Sequence, residues 1–184
     1  VARYQVAEIR RWITPQRVLV GPRLLFINEN SDETIRDVFI VMARSSMHTF
    51  KVLTKNTERM QQWFGGWAAH EAEEILDMQQ IRWPPPNVHL GIRVNRQQSL
   101  DEHASDLLDS PATSRFILID PLFGDIDLTS AECSRNGEVN VLVEGVDQVI
   151  LGCDALNEPI GWARRIVEQC LDHGVSFHQI RGST

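Results

Sequence analysis

Short apolar runs rich in β-branched residues alternate along the chain with longer segments of helical period, which is how successive β-α units read. RVLVG (17–21) and RLLFIN (23–28) follow Pro15, and either can be a buried strand. Ser31 is placed to cap a helix whose Ile35, Val38, Phe39 and Met42 share one face. TFKVLTK (49–55) is the next strand, and Asn56 or Thr57 can cap a helix through Met60 and Trp63 toward Gly65-Gly66. A second helix covers 67–79, and Trp83-Pro84-Pro85-Pro86 is a stiff connection. The grammar then repeats. Strand 88–94 leads to a helix over 97–108 and strand 115–120, DIDL (125–128) is a short extra strand, and the stretch around Gly137 is irregular. Strands VNVLV and QVILGC, a helix from Pro159 to His173, and VSFHQI close the chain, with Gly174 at the helix stop.

This order predicts an α/β fold with parallel strands and right-handed crossovers, either a partial (βα) barrel or an open, mostly parallel sheet with flanking helices. The 184 residues, 42% hydrophobic and 23% charged, are read as a single domain over 1–184. No run approaches the length of a membrane-spanning helix, and charge interrupts the N-terminal stretch VARYQVAEIRRW, so the expectation is a chain without membrane association, in the cytoplasm. Three cysteines, Cys133, Cys153 and Cys170, lie too far apart for a framework or a thiolate metal site and are read as free thiols.

Charge is unevenly distributed. Residues 1–25 carry five Arg against one Glu, whereas 101–158 carry thirteen acids against Arg115 and Arg135, a net of −11. Such a block repels nucleic-acid phosphate and attracts basic protein surfaces, so nucleic acid is disfavoured and a protein partner with a basic surface is expected. Asp125, Asp127 and Glu144 stand for the acidic contact residues of that half.

Both candidate architectures place ligands at the carboxyl ends of the strands. The polar residues there are Asn28, Lys55, Arg93, Asn95, Asp120, Asp154 and Arg181. Lys55 and Asp120 each end a strand and form the pair of interest, with Asp154 as a third candidate for chemistry. His70, Glu73, Glu74 and Asp77 fall at helical spacing that suits a metal face, but a solvated helix face is the plainer reading, and no metal site is assigned. His178 sits singly on the last strand, and Trp63, Trp67 and Trp83 cluster around the Gly-Gly and Pro-Pro-Pro segments, where roofing the core is the plainer role.

HTFKVLTKNTERM, PPPNVHLGIRVNRQQSLDE, LLDSPATSRFILIDPLFGDIDL, VDQVILG and WARRIVEQCLDHGVSFHQIRG together resemble a bacteriophage and prophage family that carries an N-terminal three-cysteine motif and is similar to the radical S-adenosylmethionine (SAM) barrel enzymes. The likeness runs from Trp12 to Gly182. It implies a radical-SAM-like barrel in which three clustered thiolates hold a [4Fe–4S] cluster that binds SAM. This chain departs from that pattern. The cysteine motif is absent, CDALNEP (153–159) stands where a glycine- and glutamate-containing turn is usual, Asp120 replaces a Glu, and PRLLFINEN (22–30) replaces a Met-Ser-Asp phrase.

The resulting expectation is a phage-derived, non-catalytic protein on a degenerate radical-SAM-like barrel. It binds a host or phage macromolecule through its acidic half, as an inhibitor of a host defence complex would, and holds no cofactor. The alternative is a truncated or split radical SAM-type enzyme whose cluster segment lies outside this chain, in which case Lys55, Asp120 and Asp154 converge on one pocket and SAM and [4Fe–4S] are the cofactors. An uncovered sheet edge adds the expectation of a homodimer.

Overall fold

A computed structural model describes residues 12–133, 137–152 and 160–180. In chain order the elements are β1 (Arg17–Val20), α1 (Asp32–Arg44), β2 (Thr49–Thr54), α2 (Thr57–Phe64), α3 (Trp67–Asp77), β3 (Val88–Val94), α4 (Gln97–Asp109), β4 (Arg115–Ile119), β5 (Ala131–Cys133), β6 (Gly137–Val139), α5 (Val141–Glu144), β7 (Gln148–Leu151), α6 (Ile160–Asp172) and β8 (Ser176–Gln179). Six strands form one open, all-parallel sheet in the order β1-β2-β3-β4-β7-β8, while β5 and β6 form a separate antiparallel hairpin. The fold is α/β, in the open parallel form that the alternation of strands and helices predicts. No helix among the described residues is long and apolar enough to cross a membrane.

The chain divides into two compact units, one of residues 1–90 with 110–114 and the other of 91–109 with 115–184. In the first, Ser31 and Asn56 cap α1 and α2 by accepting from the backbone N–H groups of Thr34 and Arg59. Phe50, Val52, Val88 and Leu90 alternate with half-buried Thr49, Lys51 and His89, so one sheet face is closed off from water and the other keeps polar side chains. Phe26, Phe39, Trp63 and Phe64 pack together, with the Phe39 and Trp63 rings stacked at 4.8 Å, and the Trp83 ring reaches Phe39 and Phe64. Two of the clustered tryptophans therefore build and roof this core, and only Trp67 is exposed. Asn87 fastens the α1–β2 turn by donating from its side-chain amide to the carbonyls of Met42, Ser45 and His48.

In the second unit Ile92, Val94, Ile117, Ile119, Val149 and Leu151 are at most 1% exposed, and alternate with Arg93, Leu118, Asp120, Gln148 and Ile150 on the other sheet face. Burying apolar area on this scale is the main favourable contribution to folding, at roughly 25 cal/mol per Å². Cys170 packs on α6 as a fully buried small residue.

Three sequence expectations fail because side chains take backbone groups that a strand would use. RLLFIN is a turn: Leu24 N–H bonds to the Gly21 carbonyl, and the Asn30 amide donates to the carbonyls of Leu24 and Leu25, which removes them from any strand ladder. DIDL is not a strand because glutamine side chains take its backbone groups: Gln97 Oε1 accepts from Asp127 N–H at 2.7 Å, and Gln169 Oε1 from Leu128 N–H at 2.7 Å. VNVLV breaks at Asn140, whose Oδ1 accepts from Leu142 N–H and starts a helix instead. The region read as irregular around Gly137 contains the β5–β6 hairpin.

Candidate functional site

Within the second unit, the carboxyl ends of β3 and β4 bring Arg93, Asn95 and Asp120 together. Arg93 is placed by strand alternation on the polar sheet face, and Asp120 follows β4 directly, its N–H bonded to the Val94 carbonyl. The Arg93 guanidinium donates from Nε to the Asp120 carbonyl at 2.6 Å and from NH2 to Asp120 Oδ2 at 2.8 Å. Both side chains are about a quarter exposed, so the pair is partly shielded from water.

Two glycines make this face possible. A Cβ on Gly152 would lie 2.2 Å from Asp120 Oδ1, so the Asp120 side chain occupies the space that any other residue at the end of β7 would fill. A Cβ on Gly91 would lie 2.4 Å from the Phe116 ring, so a ring laid across β3 requires glycine there. Asn95 fixes the connection that follows: its carbonyl accepts from Phe123 N–H at 2.8 Å, and its own N–H is bonded to Ser99 Oγ at 3.0 Å.

Lys55 is exposed and belongs to the first unit, and the cation that pairs with Asp120 is Arg93. Asn28 is exposed and accepts from the Asn56 side chain at 3.1 Å. Asp125 forms an ion pair with Arg165, whereas Asp127 closes a turn by accepting from the N–H and Oγ1 of Thr129. Glu144 on α5 and His178 on β8 are exposed. Asp154, Arg181 and Cys153 lie outside the described residues. His70, Glu73, Glu74 and Asp77 are all exposed, the arrangement of a solvated helix face, and no group of three His, Cys, Asp or Glu among the described residues is arranged to hold a metal ion.

A second feature of this unit was legible in sequence only as excess charge. A groove of about 610 Å³ runs between α4 and the β5–β6 hairpin, with Asp101 and Glu102 on the helix side and Glu132 and Glu138 on the hairpin side. Glu132 and Glu138 are directly opposite in the hairpin register, an arrangement of like charges that weakens a two-stranded pair. Among the described residues, the hydrogen bonds to three of these carboxylates come from neutral donors: Gln97 and the Glu132 backbone to Asp101, Gln98 to Glu102, and Ser130 to Glu138. These bonds orient the carboxylates and leave their negative charge in place.

A family model described as Protein of unknown function (DUF5131) matches residues 1–182, and the chain belongs to that family. Neither a curated protein nor a solved structure matches it.

Proposed function

We propose that this member of a family of unknown function is a phage-derived, non-catalytic binding protein that captures a host or phage protein through an acidic surface on a degenerate radical-SAM-like scaffold. The observation that carries the reading is the groove between α4 and the hairpin, lined by Asp101, Glu102, Glu132 and Glu138, where neutral donors hold the carboxylates of Asp101, Glu102 and Glu138. The second unit as a whole holds fifteen acidic against seven basic residues, so the groove lies in a surrounding field of the same sign. A field of this kind steers a basic partner into contact and disfavours nucleic acid. Inhibition of a host defence complex is the role in which such a surface would serve a phage. The phrases shared with the phage family, from Trp12 to Gly182, support the lineage.

The test is capture from an extract of the bacterial host on immobilised protein, comparing the natural chain with D101K/E102K/E132K/E138K. A basic protein retained by the natural chain at about 0.15 M salt, and lost with the charge-reversed variant, supports the reading. Equal retention by both variants rules out the charge mechanism.

The alternative, a split radical SAM-type enzyme, draws its support from the meeting of Arg93 and Asp120 at the strand carboxyl ends, where parallel sheets bind ligands. The cysteines described in this chain do not suit a [4Fe–4S] cluster. Cys133 and Cys170 are both buried, and burial pushes the Cys170 thiol up to about 11, against the thiolate that iron requires. Under that reading the thiolates come from another segment or chain, and anaerobic reconstitution of this chain alone yields no SAM-responsive absorption.

A further inference from the structure

We propose that the carboxyl ends of β3 and β4 form a binding site for a small molecule in which a carboxylate is attached to a planar ring. Arg93 receives the carboxylate. Its Nε–H and one Nη2–H are engaged with Asp120. The other edge of the guanidinium, made of Nη1 and the second Nη2 hydrogen, has no partner among the described residues, and the side chain is 29% exposed. Asp120 thus fixes the guanidinium plane and leaves open a pair of parallel donors that matches the two oxygens of a carboxylate. Ligands of parallel sheets bind at this end of the strands.

The ring is received by Phe123. The connection that follows β4 is pinned along its length: Phe123 N–H bonds to the Asn95 carbonyl at 2.8 Å, Asp125 pairs with Arg165, and Gln97 and Gln169 hold the N–H groups of Asp127 and Leu128. Leu122, Ile126 and Leu128 of this connection are fully buried, whereas Phe123 is 56% exposed. The bond to Asn95 sets Phe123 against the end of the strand that carries Arg93. An aromatic side chain left in water on a backbone that is already fixed loses little freedom when a ring is laid against it.

Charge selects a monoanion. Around this connection the pairs Arg93–Asp120 and Arg165–Asp125 are each balanced, and Arg96, exposed at the end of β3, has no carboxylate partner among the described residues. One uncompensated cation beside the open edge of Arg93 suits a single carboxylate. A phosphate dianion would meet the acidic field of the unit, which holds fifteen acidic against seven basic residues. This site shares no residue with the acidic groove and requires no protein partner, so its test is independent of the test by capture.

NMR of the whole chain, titrated with sodium benzoate and separately with sodium acetate, tests the site. Benzoate is expected to shift the Arg93 Nε–H and the Phe123 ring signals together along one saturating curve, with a dissociation constant of about 1 mM. Acetate, which offers the carboxylate alone, should bind about tenfold more weakly. F123A is expected to bring benzoate down to the level of acetate, and R96A to weaken both about threefold. Both side chains are exposed, so neither substitution removes a core contact. Saturation at Phe123 with no response at Arg93 overturns the carboxylate contact, equal affinity for the two probes overturns the ring contact, and the absence of a saturable shift up to about 50 mM overturns the site.

Discussion

Arg93 holds Asp120 at two different oxygens, the main-chain carbonyl through Nε and carboxylate Oδ2 through NH2. The contact fixes both the path of the chain leaving β4 and the rotamer of its last side chain. Because one accepting atom is backbone, D120N leaves half of the contact standing, whereas R93A removes all of it. Charge-assisted bonds in a partly exposed setting are worth more than a surface ion pair, and R93A is expected to cost about 1–2 kcal/mol in urea unfolding. R93K, which cannot span both oxygens in one plane, should recover less than half of that.

Gly91 and Phe116 give a sharper prediction. The ring lies where a Cβ at position 91 would be, and Phe116 is 1% exposed, so it has no free space to move into. G91A is expected to destabilise by about 2–3 kcal/mol through overpacking. F116A alone opens a cavity and costs about 3 kcal/mol or more. The double variant should cost clearly less than the sum of the two, because the added methyl then enters space the ring has vacated. Strict additivity in equilibrium denaturation would show that the two positions do not share that space.

The long parallel strands were legible because their signal is local and redundant. In β3, Val88, Leu90, Ile92 and Val94 alternate with His89, Gly91 and Arg93, and no other element accommodates that period. The caps at Ser31 and Asn56 were legible for the same reason, since side chain and target N–H lie within three residues. What escaped the sequence depends on distant partners. DIDL is apolar enough to form a strand, but Gln97 and Gln169, 30 and 41 residues away from the groups they bind, take its hydrogen bonds. Arg93, Asn95 and Asp120 were each identifiable as strand-end polar residues, whereas the Arg93–Asp120 contact joins positions 27 residues apart and is visible only in the fold. The acidic groove was visible as a −11 block and not as a groove, because the hairpin that forms one wall has strands of only three residues each.

Stability should fall as the pH drops below neutrality, with His103 as one cause. Burial lowers its pKa below the ordinary 6.5, against a smaller opposing pull from Glu102 and Asp106. The unfolded chain therefore takes up this proton before the folded one does. The contribution to stability is complete above about pH 6.5 and is lost as the pH falls through the folded-state value. Thermal unfolding is expected to move down between about pH 7.5 and 5.5, and H103Q should flatten that change. A natural chain and an H103Q variant with parallel pH profiles would assign the loss to other groups.

Cys170 separates burial from chemical reactivity. Its side chain is fully buried, and burial raises the thiol to about 11, so almost none of it is thiolate at the pH used for alkylation. Access and ionisation thus both oppose reaction in the native state, and both barriers vanish on unfolding. Iodoacetamide at about pH 8.5 is expected to leave Cys170 unmodified in native protein and to label it fully in concentrated urea, as read by peptide mass spectrometry. With exchange between folded and unfolded states fast relative to labelling, the native rate then reports the population that opens, and a destabilising variant such as G91A should raise it in proportion to its loss of stability. Rapid native labelling of Cys170 with no response to G91A would mean that the interior under α6 opens locally, independently of global unfolding.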